Sequence, residues 1–138
     1  MSVPEGERKI GKLACIIEAD KLCRHTLLIT KNRRIFTEDY YVPIMQDIIE
    51  TAKTIYISSW EANDIYVKDK ETWIERKSLQ DTAVRKCDRL FALMQLAYTI
   101  FHLETKKLKY WGTLCVNTRK LMKDWKEADR KRYKVYET

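Results

Sequence analysis

Along most of the chain apolar residues return at steps of three and four, the repeat that lines side chains up on one side of an α-helix. Ile10, Leu13, Ala14, Ile17, Cys23, Leu27 and Leu28 make such a row and predict a first helix over about residues 7–30. Lys31-Asn32-Arg33-Arg34 breaks the pattern, and Thr37, Glu38 and Asp39 then bring the capping and acidic side chains that a helix N-terminus favours. Pro43 belongs in the first turn of this second helix, where its missing N–H costs no bond. Ile44, Ile48, Ala52, Ile55, Tyr56, Ser59 and Trp60 trace one face of it, over about 40–63. After a short charged loop, Leu79, Ala83, Cys87, Leu90, Met94, Ala97 and Phe101 predict a third helix over about 71–103. Thr105 stands as the cap of a fourth, over about 106–129, whose inner stripe is Leu108, Trp111, Leu114, Cys115, Thr118, Leu121, Met122 and Trp125.

Four amphipathic helices joined by short loops predict an all-α, up-down-up-down four-helix bundle. Residues 1–138 then form one domain, ending in a basic tail at 130–138. Three glycines and two prolines are too few turn-formers for a many-stranded β fold, and Gly6, Gly11 and Gly112 stand too far apart to build a phosphate-cradling loop.

The third helix departs from simple amphipathicity in its second half. From Leu90 to Leu103 only Gln95, Thr99 and His102 are polar, a narrower polar stripe than a helix at the edge of a monomeric bundle shows to water. Two readings stay open: tight burial between two neighbours of one bundle, or an oligomer interface carried by Ala92, Leu93, Leu96 and Ile100.

The residues give little catalytic chemistry. Cys23 and His25 diverge on a helix and do not grip one metal together. His102 has no nucleophile or acid matched to it by local spacing, and carboxylates such as Glu71, Glu75, Asp124 and Asp129 are interleaved with lysines as ion-pair partners usually are. No inward Glu-x-x-His motif of a di-iron bundle occurs. The chain is therefore expected not to be an enzyme and to carry no cofactor and no metal. Cys15, Cys23, Cys87 and Cys115 are spaced as single core thiols, no apolar run reaches the ~18 residues that span a bilayer, and no leader pattern is visible. A soluble cytoplasmic protein with no membrane attachment is the expectation.

Charge is uneven. The formal net charge is +7; residues 1–100 hold 16 basic and 15 acidic side chains, while residues 101–138 hold 11 and 5. Arg119, Lys123, Lys126 and Arg130, at steps of four, three and four, form a positive stripe expected to have no internal partners. Lys106, Lys107 and Lys109 lead into it and Arg130, Lys131, Arg132 and Lys134 trail from it, with Tyr110, Tyr133 and Tyr136 as stacking groups. These are the candidate nucleic-acid-binding residues, for contact with phosphates rather than base reading; a merely solvated face is the alternative.

Three segments carry a family resemblance: the basic loop ending in a phenylalanine, Lys31-Asn32-Arg33-Arg34-Ile35-Phe36-Thr37; the Ile48-Ile49-Glu50-Thr51-Ala52 stretch; and Arg119 placed three residues before Met122 and six before Trp125. From about Ile29 to Trp125 the chain resembles the small four-helix-bundle proteins that include the accessory variability determinant of diversity-generating retroelements. Bundle proteins encoded in intervening sequences of ribosomal RNA genes are related to them. The sequence departs from that pattern at Lys123-Asp124, where a glycine pair often precedes the tryptophan. The resemblance implies a homopentameric barrel with a basic surface that binds RNA or DNA and partners a reverse transcriptase in mutagenic retrohoming. The expected function is accordingly a non-catalytic nucleic-acid-binding accessory subunit, with a protein-binding structural or ribosome-associated adaptor as the alternative.

Overall fold

The computed structural model describes residues 5–137, with side-chain surroundings for 14–39 and 43–137. Among these residues there are four long helices and no strand: α1 (Glu5–Thr30), α2 (Gln46–Asp64), α3 (Lys70–Phe101) and α4 (Thr105–Arg132). Each packs on two neighbours, α1 on α2 and α4, and α3 on α2 and α4. The short connections at 65–69 and 102–104 reverse the chain, so the expected four-helix bundle is what forms.

The cleanest inner stripe is that of α3. Trp73, Arg76, Gln80, Ala83, Cys87, Leu90, Met94, Ala97 and Phe101 are all buried, at steps that alternate three and four without a break, the repeat of helices packed knobs into holes. In α4 Trp111, Leu114, Cys115, Thr118, Met122 and Trp125 are buried as expected, Leu108 and Leu121 are only partly buried, and the stripe extends to Asp129. In α1 the expected row is displaced. Cys15, Ala19, Leu22, Thr26 and Thr30 face the core, whereas Ile17, Leu27 and Leu28 lie outside; Ile10 and Leu13 fall outside the described side chains. Thr26 and Thr30 are tolerated inside because each hydroxyl donates to the carbonyl four residues earlier, at 2.7 Å, and Thr26 Oγ1 also accepts the buried Trp111 indole N–H at 2.9 Å. Trp60, expected on the inner face of α2, is largely exposed and meets Tyr56 edge to face.

The helix ends differ in workmanship. Asp69 caps α3 in a reciprocal box with Thr72, its carboxylate accepting the Thr72 N–H at 2.8 Å, and this holds the Asp69 carboxyl below its ordinary pKa. At the other end of α3, His102 takes the left-handed conformation (φ 52°) and closes the helix. A 3-10 turn (Glu38–Tyr40) and one π turn (Tyr41–Met45) lead into α2, with Pro43 in the π turn; Thr37 makes no capping bond among the described residues. Thr105 does not cap α4. It opens the helix, with Glu104 at the cap position and no side-chain capping bond there.

Candidate nucleic-acid interface

The 31–37 loop is shaped by its own sequence. Asn32 accepts the Phe36 N–H on its carbonyl (2.9 Å) and the Arg34 N–H on its side chain (3.1 Å), so the chain turns sharply. Phe36 is thereby driven into the end of the bundle, 4.8 Å from the Phe101 ring and 6.5 Å from that of Trp111. With Phe36 anchored, the loop stands beside the start of α4. Between them and the last turns of α1 lies a groove of about 570 Å³, lined by His25, Leu28, Ile29, Asn32, Ile35, Glu104, Lys106, Lys107 and Tyr110.

Lys106, Lys107 and Lys109 are exposed and have no carboxylate partner among the described residues. Lys106 and Lys107 lie in the first turn of α4, which holds no acidic side chain, and Lys109 lies just beyond it, so the charge of the first two adds to the positive end of the helix dipole. His25 lies edge-on to Tyr110 with ring centroids 4.9 Å apart, and burial pushes its imidazole below the ordinary value, so it is neutral at pH 7.

The positive stripe expected along α4 is corrected. Arg119 pairs with Asp88 at 2.8 Å, Lys126 pairs with Asp81, and Arg130 pairs with Glu127 at 2.7 Å. Four cations with three carboxylates leave a net charge of +1 along the row, and of the four only Lys123 has no carboxylate partner among the described residues. Asp81 and Asp88 lie seven residues apart on α3, opposite Lys126 and Arg119, seven apart on antiparallel α4; the pairs lace the flank of the helix seam as charges beside a heptad core do. Lys131 remains exposed and unpaired among the described residues.

Arg132 is also corrected, because it belongs to a buried network. Asp129, fully buried, accepts from Arg76 Nε at 2.8 Å, Gln80 Nε2 at 2.8 Å and Arg132 Nη1 at 3.0 Å. Arg76 also donates to the Ile65 carbonyl at 3.2 Å and lies over the rings of Trp125 and Tyr133. Residues 133–137 of the expected basic tail fold back over this cluster: Tyr133 packs on Trp73, the Tyr136 hydroxyl donates to the Lys68 carbonyl at 3.1 Å, and Glu137 pairs with Lys77 at 3.3 Å. Tyr133 and Tyr136 are therefore engaged within the fold. Tyr110 alone of the three named tyrosines stands at the groove, 58% exposed.

The four candidate interface residues divide. Ala92 and Leu96 are exposed, and on the flank of the same helix Phe91 and Gln95 line a shallow groove with Gly112, Thr113 and Val116 of α4. Leu93 and Ile100 are half-buried against the core of their own bundle. The cysteines are free and buried, and no cluster of three metal-ligating side chains occurs among the described residues. No helix there is long and apolar enough to cross a membrane. No known protein family, curated protein or solved structure matches the chain.

Proposed function

We propose that this protein is a nucleic-acid-binding accessory subunit without catalytic chemistry of its own, one that serves a reverse transcriptase in a diversity-generating retroelement. The observation that carries the binding part is the concentration of Lys106, Lys107 and Lys109, without carboxylate partners among the described residues, at the open α1–α4 end, while the arginines farther along α4 are neutralised by carboxylates. The reverse-transcriptase partner rests on the resemblance alone. Buried reduced thiols fit a cytoplasmic setting.

Phosphate binding by surface lysines releases condensed counterions, so affinity falls with salt by about 0.9 log units per contact for each log unit of salt on duplex DNA. Changing Lys106, Lys107 and Lys109 together to Gln should lower the magnitude of that slope by up to about three. Changing the paired Arg119, Lys126 and Arg130 to Gln should lower it less. Equal affinity and slope for wild type and the first triple variant would refute the reading.

A homo-oligomer is the companion proposal, carried by the exposed large apolar side chains Phe91, Leu96 and Val116. Sedimentation at micromolar concentration tests it: Leu96→Glu should yield a folded monomer, and a monomeric wild type would end the proposal. If this apolar surface assembles with other proteins while neither triple variant alters polyanion binding, the adaptor alternative takes precedence.

A further inference from the structure

Phosphate contact by lysines does not account for the groove beneath them. Its volume, about 570 Å³, falls within the roughly 300–1,000 Å³ of pockets that enclose a small ligand. Its walls are of two kinds. Leu28, Ile29 and Ile35 are apolar, and Leu28 is left 65% exposed, with no cover from the described residues. Tyr110 presents an aromatic ring held edge to face by neutral His25, so most of the Tyr110 surface is open to another planar group. Lys106 and Lys107 stand on the rim against the single carboxylate of Glu104, and the loop that supplies Asn32 also supplies exposed Lys31 and Arg34.

A flat group with an apolar face, carried on a chain with more than one negative charge, satisfies both walls. We propose that the groove receives an unpaired base of a single-stranded nucleic acid, stacked on Tyr110 above the apolar floor, with the neighbouring phosphates on Lys106 and Lys107. Aromatic stacking is tolerant of base identity and needs a base that is not already stacked in a duplex. The site therefore selects single strands over double strands without reading sequence. This inference rests on the nucleic-acid reading above.

The test is fluorescence anisotropy with a labelled 12-nucleotide oligouridine and, separately, the same strand annealed to its complement, at one fixed salt concentration and then across a salt series. Tyr110→Ala should weaken single-strand binding by roughly tenfold, leave the salt slope and duplex binding unchanged, and be rescued by Tyr110→Trp. Lys106→Gln with Lys107→Gln should lower the slope for both strands. A 5-iodouridine-labelled strand should photocrosslink to Tyr110. Unchanged single-strand affinity in Tyr110→Ala, beside a loss in the lysine variant, would overturn the groove proposal and leave the nucleic-acid reading standing. Failure of the wild type to bind either strand would overturn both. Binding of a long-chain fatty acid that Leu28→Glu abolishes, with no preference for single strands, would replace the base by an amphipathic ligand.

Discussion

Replacing Asp129 by alanine should destabilise the bundle by about 3–5 kcal/mol, the cost of stranding a buried charge by removing its partner. Asp129 is fully buried and Arg76 is 2% exposed, so neither is rescued by water. The substitution removes the acceptor of three hydrogen bonds, from Arg76, Gln80 and Arg132. What remains to Arg76 is the Ile65 carbonyl and two aromatic faces, none of which carries a negative charge. At roughly 2.1 cal/mol/K of unfolding entropy per residue, a chain of this length loses about 10–17 °C in Tm.

A double-mutant cycle separates the pair from its surroundings. Arg76 Nη2, Gln80 Oε1 and Arg132 Nε are buried with no partner among the described residues, so protein groups alone do not complete the network. Arg76→Met combined with Asp129→Leu should therefore cost much less than the two single changes added together, with a coupling above about 1 kcal/mol. Urea unfolding followed by circular dichroism measures all four proteins. Additivity within about 0.5 kcal/mol, or a cost below about 1 kcal/mol for Asp129→Ala, would refute the account of this cluster.

Three further outcomes follow from burial and charge. Burial pushes the Cys15 thiol up to about 12, a hydrogen bond with Cys115 and then burial raise Cys87, and burial chiefly raises Cys23; a thiol reagent at pH 8 should label the native protein slowly and all four cysteines at once in denaturant. Because burial holds His25 below 6.5, the unfolded chain takes up a proton that the folded one refuses as pH drops below that value. Stability should fall through that window, and His25→Leu should flatten the fall in denaturation curves at pH 7 and 5.5. Reversing Lys106 and Lys107 to Glu should raise stability, by about 0.5–2 kcal/mol in total, while removing polyanion binding; a drop in stability or retained binding would contradict the placement of these charges.

The helices and most of their inner faces were legible because apolar periodicity is a local property. Where the reading failed, the deciding partner lay on another helix. In α1, Cys15-Ile16-Ile17 and Leu27-Leu28-Ile29 offer apolar side chains in several directions, and the core side was settled by Thr26, which accepts the indole N–H of distant Trp111. The α4 cations read as an unshared stripe because Asp81 and Asp88 belong to α3. A signal for the buried network was present: continuing the three-four repeat of α3 backward from Ala83 reaches Gln80, Arg76 and Trp73, and continuing that of α4 forward from Trp125 reaches Asp129. Opposite charges on two inward stripes point to a buried pair. The groove left no comparable mark, since Tyr110, Leu28 and Ile35 come together only through the turn at Asn32 and the insertion of Phe36.

The two ends of the bundle make different use of charge. Near the 65–69 turn, Arg76 and Arg132 converge on one carboxylate and the C-terminal segment is strapped over them, so positive charge there is spent on holding the fold. At the opposite end Lys106 and Lys107 occupy the first turn of α4, with Lys109 just beyond it; positive charge there opposes the helix dipole, no acidic residue lies in that turn, and Glu104 at the cap position makes no side-chain capping bond. A sequence shaped by stability alone would put Asp or Glu in those positions and a Ser or Asp at the cap, as it does with Asp69 at the start of α3. The same chain thus follows the helix-end rules at one terminus and breaks them at another beside an open groove. Local rules broken without local compensation are where selection for binding, rather than folding, is expected to act, which is why the α1–α4 end, and not the ion-paired flank of α4, is the surface on which the function should be sought.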